Sequence, residues 1–178
     1  FKALLNTDEF MDVVDQTNWI INDWVQKAGA DAAKLYLSGG DNFRNDIAFT
    51  KKYKGNRSAT KPPFFHEIIR YIVSMHDPIM SVNCESDDMI AIEHTRCNNI
   101  FMIDNEVEPW SEAHSMFSGT VIVTRDKDLA TVPGWYCDSK SGKMQWIDLI
   151  GCLEPVYADK EITAYEQWPL VDGKTVNP

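Results

Sequence analysis

An α/β fold, with a central and mainly parallel sheet flanked by helices, is what this sequence predicts. Three observations lead there. Short apolar, β-branched runs alternate with stretches of helical periodicity through the first 130 or so residues, the order that builds parallel sheets. Those runs are separated by whole helices rather than by hairpin turns, which parallel neighbours require. At 178 residues and 44% apolar composition the chain suits one domain with an ordinary core.

The elements follow in order. "NTDEFMDVVDQTNWIINDWVQKAGA" places Phe10, Val13, Val14, Thr17, Ile21, Trp24, Val25 and Ala28 at helical spacing. Asn6 followed by Glu9 fits a capping box, and Gly29 fits a stop. "KLYLS" (34–38) reads as a short strand ending at Gly39–Gly40. A polar, basic segment without apolar period follows, expected as a loop or arch over about 39–63. "PPFFHEIIRYIVSMH" resumes the helical pattern after Pro62 and Pro63, with Phe65, Ile68, Ile69, Ile72 and Val73 on one side. Strand "IMSVN" (79–83) and a helix from about Asp87 to Cys97, capped by Ser86, come next. "IDNEVEPWSE" (103–112) reads as an acidic surface insertion, and "GTVIVT" (119–124) as a buried strand. "DKDLATVPGW" gives a short helical turn broken by Pro133 and Gly134. Beyond Trp135 the pattern supports two strands, near 134–137 and 143–149, and then an irregular tail.

Composition narrows the class. Charged residues make up 25%, ordinary for a globular chain. No run approaches the roughly 18 apolar residues of a membrane span, and "FKALLNTDEF" lacks the apolar core of a secretory leader. Cys84, Cys97, Cys137 and Cys152 form no paired-cysteine motif. They read as reduced thiols of a cytoplasmic protein, with two disulfides as the alternative. Net charge is −10, which by itself disfavours a nucleic-acid partner. From Arg44 to Lys61, however, six Lys and Arg residues face one acid, Asp46. That window carries +5 and leaves −15 elsewhere. Phosphate binding is a local matter, so the asymmetry outweighs the average.

The acids cluster too. Glu85, Asp87 and Asp88 follow one expected strand, and Asp126 and Asp128 follow another. In open α/β sheets, ligand sites form beyond the carboxyl ends of strands. Asp126 and Asp128, two apart in extended chain, are expected on one side, as are Glu85 and Asp87, with Asp88 opening a helix. Two unit charges about 4 Å apart repel by roughly 4 kcal/mol at an effective dielectric near 20. Several such pairs rival the whole stability of a domain, roughly 5–15 kcal/mol. Five converging carboxylates therefore call for protonation or for cations, and hard oxygens suit Mg²⁺ or Mn²⁺ rather than Zn²⁺. The competing reading is plainer: "SDD" caps a helix and "DKD" is a solvated turn. The basic window mixes Arg44, Lys54 and Arg57 with Tyr53, a combination that grips a nucleic-acid backbone. Metal-bound acids beside a positive arm suit phosphodiester hydrolysis.

Other candidates are weaker. His66 and His76 flank a helix and read as packed or exposed. His94 with Cys97 is half of a zinc pair without a second half. Gly39–Gly40 lacks the lysine of a phosphate loop and the further glycines of a dinucleotide fingerprint. Cys84 has no basic partner nearby in sequence to make it a nucleophile.

The strings "YLSGGDNFRNDIAFTKKYKGNR", "ESDD" and "VIVTRDKDLATVPGW", in this order and at these spacings, resemble the phage-type 5′-3′ exonucleases of the flap endonuclease superfamily. The likeness runs from about Lys34 to Trp135. It implies a single 5′-nuclease domain of PIN-like fold over 1–178, two divalent metals, and cleavage of DNA at 5′ ends or flaps during replication or repair. RNA–DNA hybrid is a further implied substrate, replication proteins are implied partners, and the compartment is the cytoplasm, the host's if the chain is phage-encoded. Glu85, Asp87 and Asp88 match the family's "E-x-D-D" metal element, and Asp126 and Asp128 its catalytic, metal-binding "D-x-D" pair. Tyr53, Lys54 and Arg57 match "YKGNR" in the arch, with Lys54 first choice for the scissile phosphate and Arg57 beside it. Arg44 matches the "FR" arginine. Together with Lys51 and Lys52 these make up the implied nucleic-acid-binding set. The family's N-terminal strand with its aspartate and its C-terminal helix-hairpin-helix module are not seen in this sequence. Ser38, Gly39 and Gly40 stand where many relatives carry another aspartate, and Asp41 lies two positions on. A PIN-type single-strand ribonuclease and a catalytically silent nucleic-acid-binding subunit are the alternatives.

Overall fold

The computed structural model describes residues 9–47, 61–108, 119–158, 161–171 and 174–175, with side chains as far as residue 148. The chain divides into two compact units, Phe1–Met89 and Ile90–Pro178.

In the first unit, α1 spans Phe10–Ala28 and α3 spans Phe65–His76, with the four-residue turn α2 at Arg44–Ile47 between them. The periodic apolar positions do what their spacing requires: Val13 and Val14 of α1 bury against Ile68 and Ile72 of α3. Phe10, Leu35, Leu37, Phe64 and Tyr71 pack around that core. Val73, expected on the same side, is exposed. The start of α1 differs from expectation. Its N-cap is Glu9, in extended conformation and without a side-chain cap, and Asn6 of the expected capping box lies outside the described residues. Its end agrees: Gly29 is left-handed (φ 61°), and Gly29 and Ala30 donate to the carbonyls of Gln26 and Val25, a Schellman closure. Strand β1 (Tyr36–Leu37) pairs in parallel with β2 (Ile79–Met80), Tyr36 opposite Ile79 and Leu37 opposite Met80. Both are shorter than "KLYLS" and "IMSVN": Ser81 N–H still donates to the Leu37 carbonyl (2.9 Å), and beyond it the hydroxyls of Ser38 and Ser81 take over the bonding.

Helix α4 runs over Ser86–Asp104, seven residues past the expected end at Cys97. "TRCNNIFMID" holds no Gly or Pro to stop it. Asn98, a poor helix former in isolation, is buried in it and bonded to His94 Nε2 (Nδ2 at 3.2 Å). The expected insertion at 103–112 thus begins as the last turn of this helix, and residues 109–112 lie outside those described.

In the second unit, β3 (Val121–Thr124) pairs in parallel with β4 (Gly134–Asp138), and β4 pairs antiparallel with β5 (Met144–Ile147). A 3-10 helix at Lys127–Thr131 joins β3 to β4, where the short turn was expected. Ile122, Leu129, Ala130, Tyr136 and Ile147 form the core, with Ile90, Ala91 and Val132 against it. Trp135 and Trp146 face each other across β4 and β5, ring centroids 5.4 Å apart and edge to face. The expected irregular tail is instead an antiparallel set, β6 (Leu149–Ala158), β7 (Glu161–Val171) and β8 (Lys174–Thr175). The structure is therefore a mixture of helices and strands. The described strands form three small sheets; pairing is parallel for β1 with β2 and for β3 with β4, and antiparallel for β4 with β5, β6 with β7 and β7 with β8.

Candidate functional site

The carboxyl ends of β1 and β2 carry a polar cluster built from three segments of the first unit. Gly39 N–H donates to Ser81 Oγ (3.0 Å), and Ser81 Oγ donates to the Cys84 carbonyl (2.8 Å). A Cβ on Gly39 would run into the Ser81 carbonyl oxygen, so only glycine lets the two strand ends come this close. Ser86 N–H reaches Ser38 Oγ (3.1 Å), and Ser38 Oγ bonds Ser86 Oγ (3.0 Å), which ties the end of β1 to the first turn of α4. Phe43 N–H donates to the Asn83 carbonyl (3.1 Å), and Asn42 Oδ1 accepts from Arg44 N–H (3.0 Å), which fixes the backbone entering α2. Asp41, Asn42, Asn45, Asp46, Val82 and Asn83 line an open cleft of about 300 Å³ on this face.

Into this cluster comes Arg44. Its Nη1 lies 2.6 Å from Asp88 Oδ2 and its Nη2 2.8 Å from Oδ1, a two-pronged pair with both side chains a little over a quarter exposed (29% and 28%). Asp88 Oδ2 also accepts from the Glu85 backbone N–H (3.0 Å). With Ser86 opening the helix, Asp88 is its third residue, and that bond is the returning arm of a capping box. The guanidinium lies 4.9 Å from the Phe43 ring centroid. The positive charge facing Asp88 is thus supplied by the protein itself.

The second acid group sits in the second unit. Asp126 caps the 3-10 helix, its Oδ1 accepting from Asp128 N–H (3.1 Å), and its own N–H donates to Thr124 Oγ1 (3.0 Å). Asp126 and Asp128 are both exposed. Burial, and then the charges of Asp138 and Asp126, push the Tyr136 hydroxyl above its usual range. The period-two relation expected of both acid pairs does not hold. Asp87 is in α4 and Asp128 in the 3-10 helix, so neither pair lies in extended chain. Both plainer readings, a capped helix for "SDD" and an exposed turn for "DKD", describe the local geometry.

Of the basic set, Arg44 is where the site is. Lys51, Lys52, Tyr53, Lys54 and Arg57 lie outside the described residues. The carboxylates offer the hard oxygens that suit Mg²⁺. The geometry does not match that chemistry: among the described residues no three His, Cys, Asp or Glu groups come together to hold a metal ion, and Arg44 holds both oxygens of Asp88. With Arg44 in place, a divalent ion does not fit at Asp88.

His94 is a buried polar-network residue. Its Nδ1 lies 3.1 Å from Thr120 Oγ1, which donates to Asn98 Oδ1 (3.1 Å). Gly134 (φ 123°) gives this ring its room, since a Cβ there would strike His94 and Asn98. Cys84 and Cys97 are half-buried thiols, and Cys137 is buried. Sequence reasoning missed the pairing of Arg44 with Asp88; the E-x-D-D spacing that puts Asp88 at the third helical position was the one available sign. Among the described residues no helix is long and apolar enough to cross a membrane. Comparison with protein families, with characterised proteins and with solved structures gives no match.

Proposed function

We propose that the chain is a metal-dependent nuclease of PIN-like fold that hydrolyses phosphodiester bonds at or near 5′ ends of DNA, as a 5′-3′ exonuclease or flap endonuclease. One observation supports the reading above others. Arg44 of the "FR" element and Asp88 of the "E-x-D-D" element, 44 residues apart, meet beyond the carboxyl ends of a parallel strand pair. An arginine fork within a polar, solvent-reached cluster suits a polynucleotide phosphate. The cofactor that this reading calls for is Mg²⁺ or Mn²⁺, and the substrate-gripping residues are Arg44, Lys54 and Arg57. The test is cleavage of a 5′-flap or nicked duplex in Mg²⁺, with Asp126→Ala, Asp128→Ala as the paired variant. The parent is expected to cut and the variant not; equal cutting by both removes the acids from the chemistry. Running RNA and DNA strands of one sequence separates this activity from a PIN-type ribonuclease.

The occupied state of Asp88 favours a second reading, a nucleic-acid-binding subunit without catalysis. Salt-sensitive DNA binding that persists in EDTA, with no cleavage in Mn²⁺, is the result that selects it.

A further inference from the structure

The cleft beyond β2 has a lining that suits neither a phosphate nor a membrane. Among the described residues it holds two carboxylates (Asp41, Asp46), three carboxamides (Asn42, Asn45, Asn83) and Val82, with no Lys or Arg. Carboxylates repel a phosphate and accept from amino groups, while carboxamides both donate and accept. We infer that Phe43 and this neighbouring cleft take an unpaired nucleobase, the ring by stacking and the cleft by hydrogen bonds to the base edge. The inference rests on the nuclease reading above and adds to it which part of the strand is held here.

Three features carry it. The first is that Phe43 is fixed in place. Its N–H donates to the Asn83 carbonyl (3.1 Å), and its own carbonyl accepts from the N–H groups of Asp46 (2.9 Å) and Ile47 (3.3 Å). Both backbone groups of the residue are therefore committed. The second is the surroundings of its ring. It is 38% exposed, and the Arg44 guanidinium lies over it at 4.9 Å, itself pinned by both oxygens of Asp88. A ring backed by a guanidinium is a stacking platform that accepts any base. One already in position gives up little freedom on binding.

The third is the chemistry and size of the cleft. Asn and Asp side chains are the types that read base edges, Asn at adenine and Asp at the cytosine amino group. Val82, 82% exposed in the same lining, adds an apolar surface. A volume of about 300 Å³ stands at the small end of ligand clefts, a size for one base rather than for a length of chain. A single exposed aromatic is ordinary. A fixed one beside a hydrogen-bonding cleft, past the carboxyl ends of a parallel strand pair, is placed where such sheets bind ligands.

The experiment is binding of the full chain to a short, fluorescently labelled oligodeoxycytidine in EDTA, where no metal-dependent cleavage occurs. It is compared with a strand of equal length that carries the sugar-phosphate backbone without bases. The parent is expected to bind the base-bearing strand about tenfold more tightly than the abasic one. Phe43→Leu should lose that preference and bind both strands alike, with an unchanged dependence on salt, because phosphate contacts are not touched. Phe43→Tyr should keep the preference. Asn45→Ala, which removes one cleft amide, should weaken the base-bearing strand about threefold and leave the abasic strand as it was. Unchanged circular dichroism establishes that each variant folds, and the comparison of strands on the parent needs no variant. Equal affinity of the parent for both strands, or a preference that survives in Phe43→Leu, overturns the base site and leaves the nuclease reading standing. Binding to neither strand also overturns it, and cleavage of the 5′-flap in Mg²⁺ then decides the nuclease reading by itself.

Discussion

Two aspartates of the same expected role are held in different ways. Asp88, part-buried in the first unit, is held by a side-chain cation and a backbone N–H together. Asp126, exposed in the second, is held by one backbone N–H at the mouth of a 3-10 helix. The contrast follows from solvent. At the dielectric of water, charges about 4 Å apart interact by only about 1 kcal/mol, so an exposed acid such as Asp126 needs no counter-ion. A part-buried carboxylate loses hydration and needs one. Repulsion computed for both groups at one dielectric, as a sequence forces one to do, overstates the demand at Asp126.

The largest expected effects come from the glycines that give each region its room. Gly134→Ala combines left-handed backbone with a collision against His94 and Asn98, and should cost about 3 kcal/mol or more. Gly39→Ala meets a backbone carbonyl but keeps an ordinary φ, and should cost about 2 kcal/mol. Urea melts of the full chain give both values. Near-parent stability for Gly39→Ala would mean that the strand ends at the candidate site are not as close as described.

Next in size is the pair of aspartates itself. Asp88→Asn removes a charged fork partner and weakens a cap, and should cost about 2 kcal/mol. Asp126→Asn, which keeps an oxygen for the Asp128 N–H, should cost about 0.5 kcal/mol or less. A double-mutant cycle of Arg44→Gln with Asp88→Asn should return about 1 kcal/mol of coupling that shrinks in high salt. Zero coupling would make the fork a contact without energetic content, and the contrast between the two aspartates would vanish.

How far such differences are legible in sequence depends on the range of the interaction behind them. Helices α1 and α3 were legible because Val13, Val14, Ile68 and Ile72 repeat at helical period, and strand β3 because Val121, Ile122 and Val123 are apolar and β-branched. The hairpin of β6 and β7 was not, because Pro155 and Pro169 interrupt the runs and proline demotes a strand on sight. The reach of α4 past Cys97 depends on Asn98 finding His94 and Thr120, and Thr120 lies 22 residues further along the chain. For the site, the positions of Glu85, Asp87 and Asp88 at a strand end were legible. The partner of Asp88 was not, since only the fold brings residue 44 to residue 88.

A third carboxylate sharpens the comparison at its smallest scale. Asp138 ends β4 and accepts from Ser141 Oγ (2.7 Å) and from the N–H groups of Ser141 (2.6 Å) and Lys140 (3.1 Å), all at one oxygen. The Ser141 hydroxyl, then its N–H, hold this carboxyl below its ordinary range, without any arginine. A carboxyl with a folded pKa below its unfolded value binds fewer protons when folded, so its contribution is present above the unfolded value, near 3.9, and fades as pH falls below it. Ser141→Ala should therefore cost about 1 kcal/mol at pH 7 and less at pH 3, because the acid form no longer rewards the hydroxyl donor. Urea melts at the two pH values measure the difference. An equal cost at both would place the loss in the hairpin turn itself rather than in the charge of Asp138.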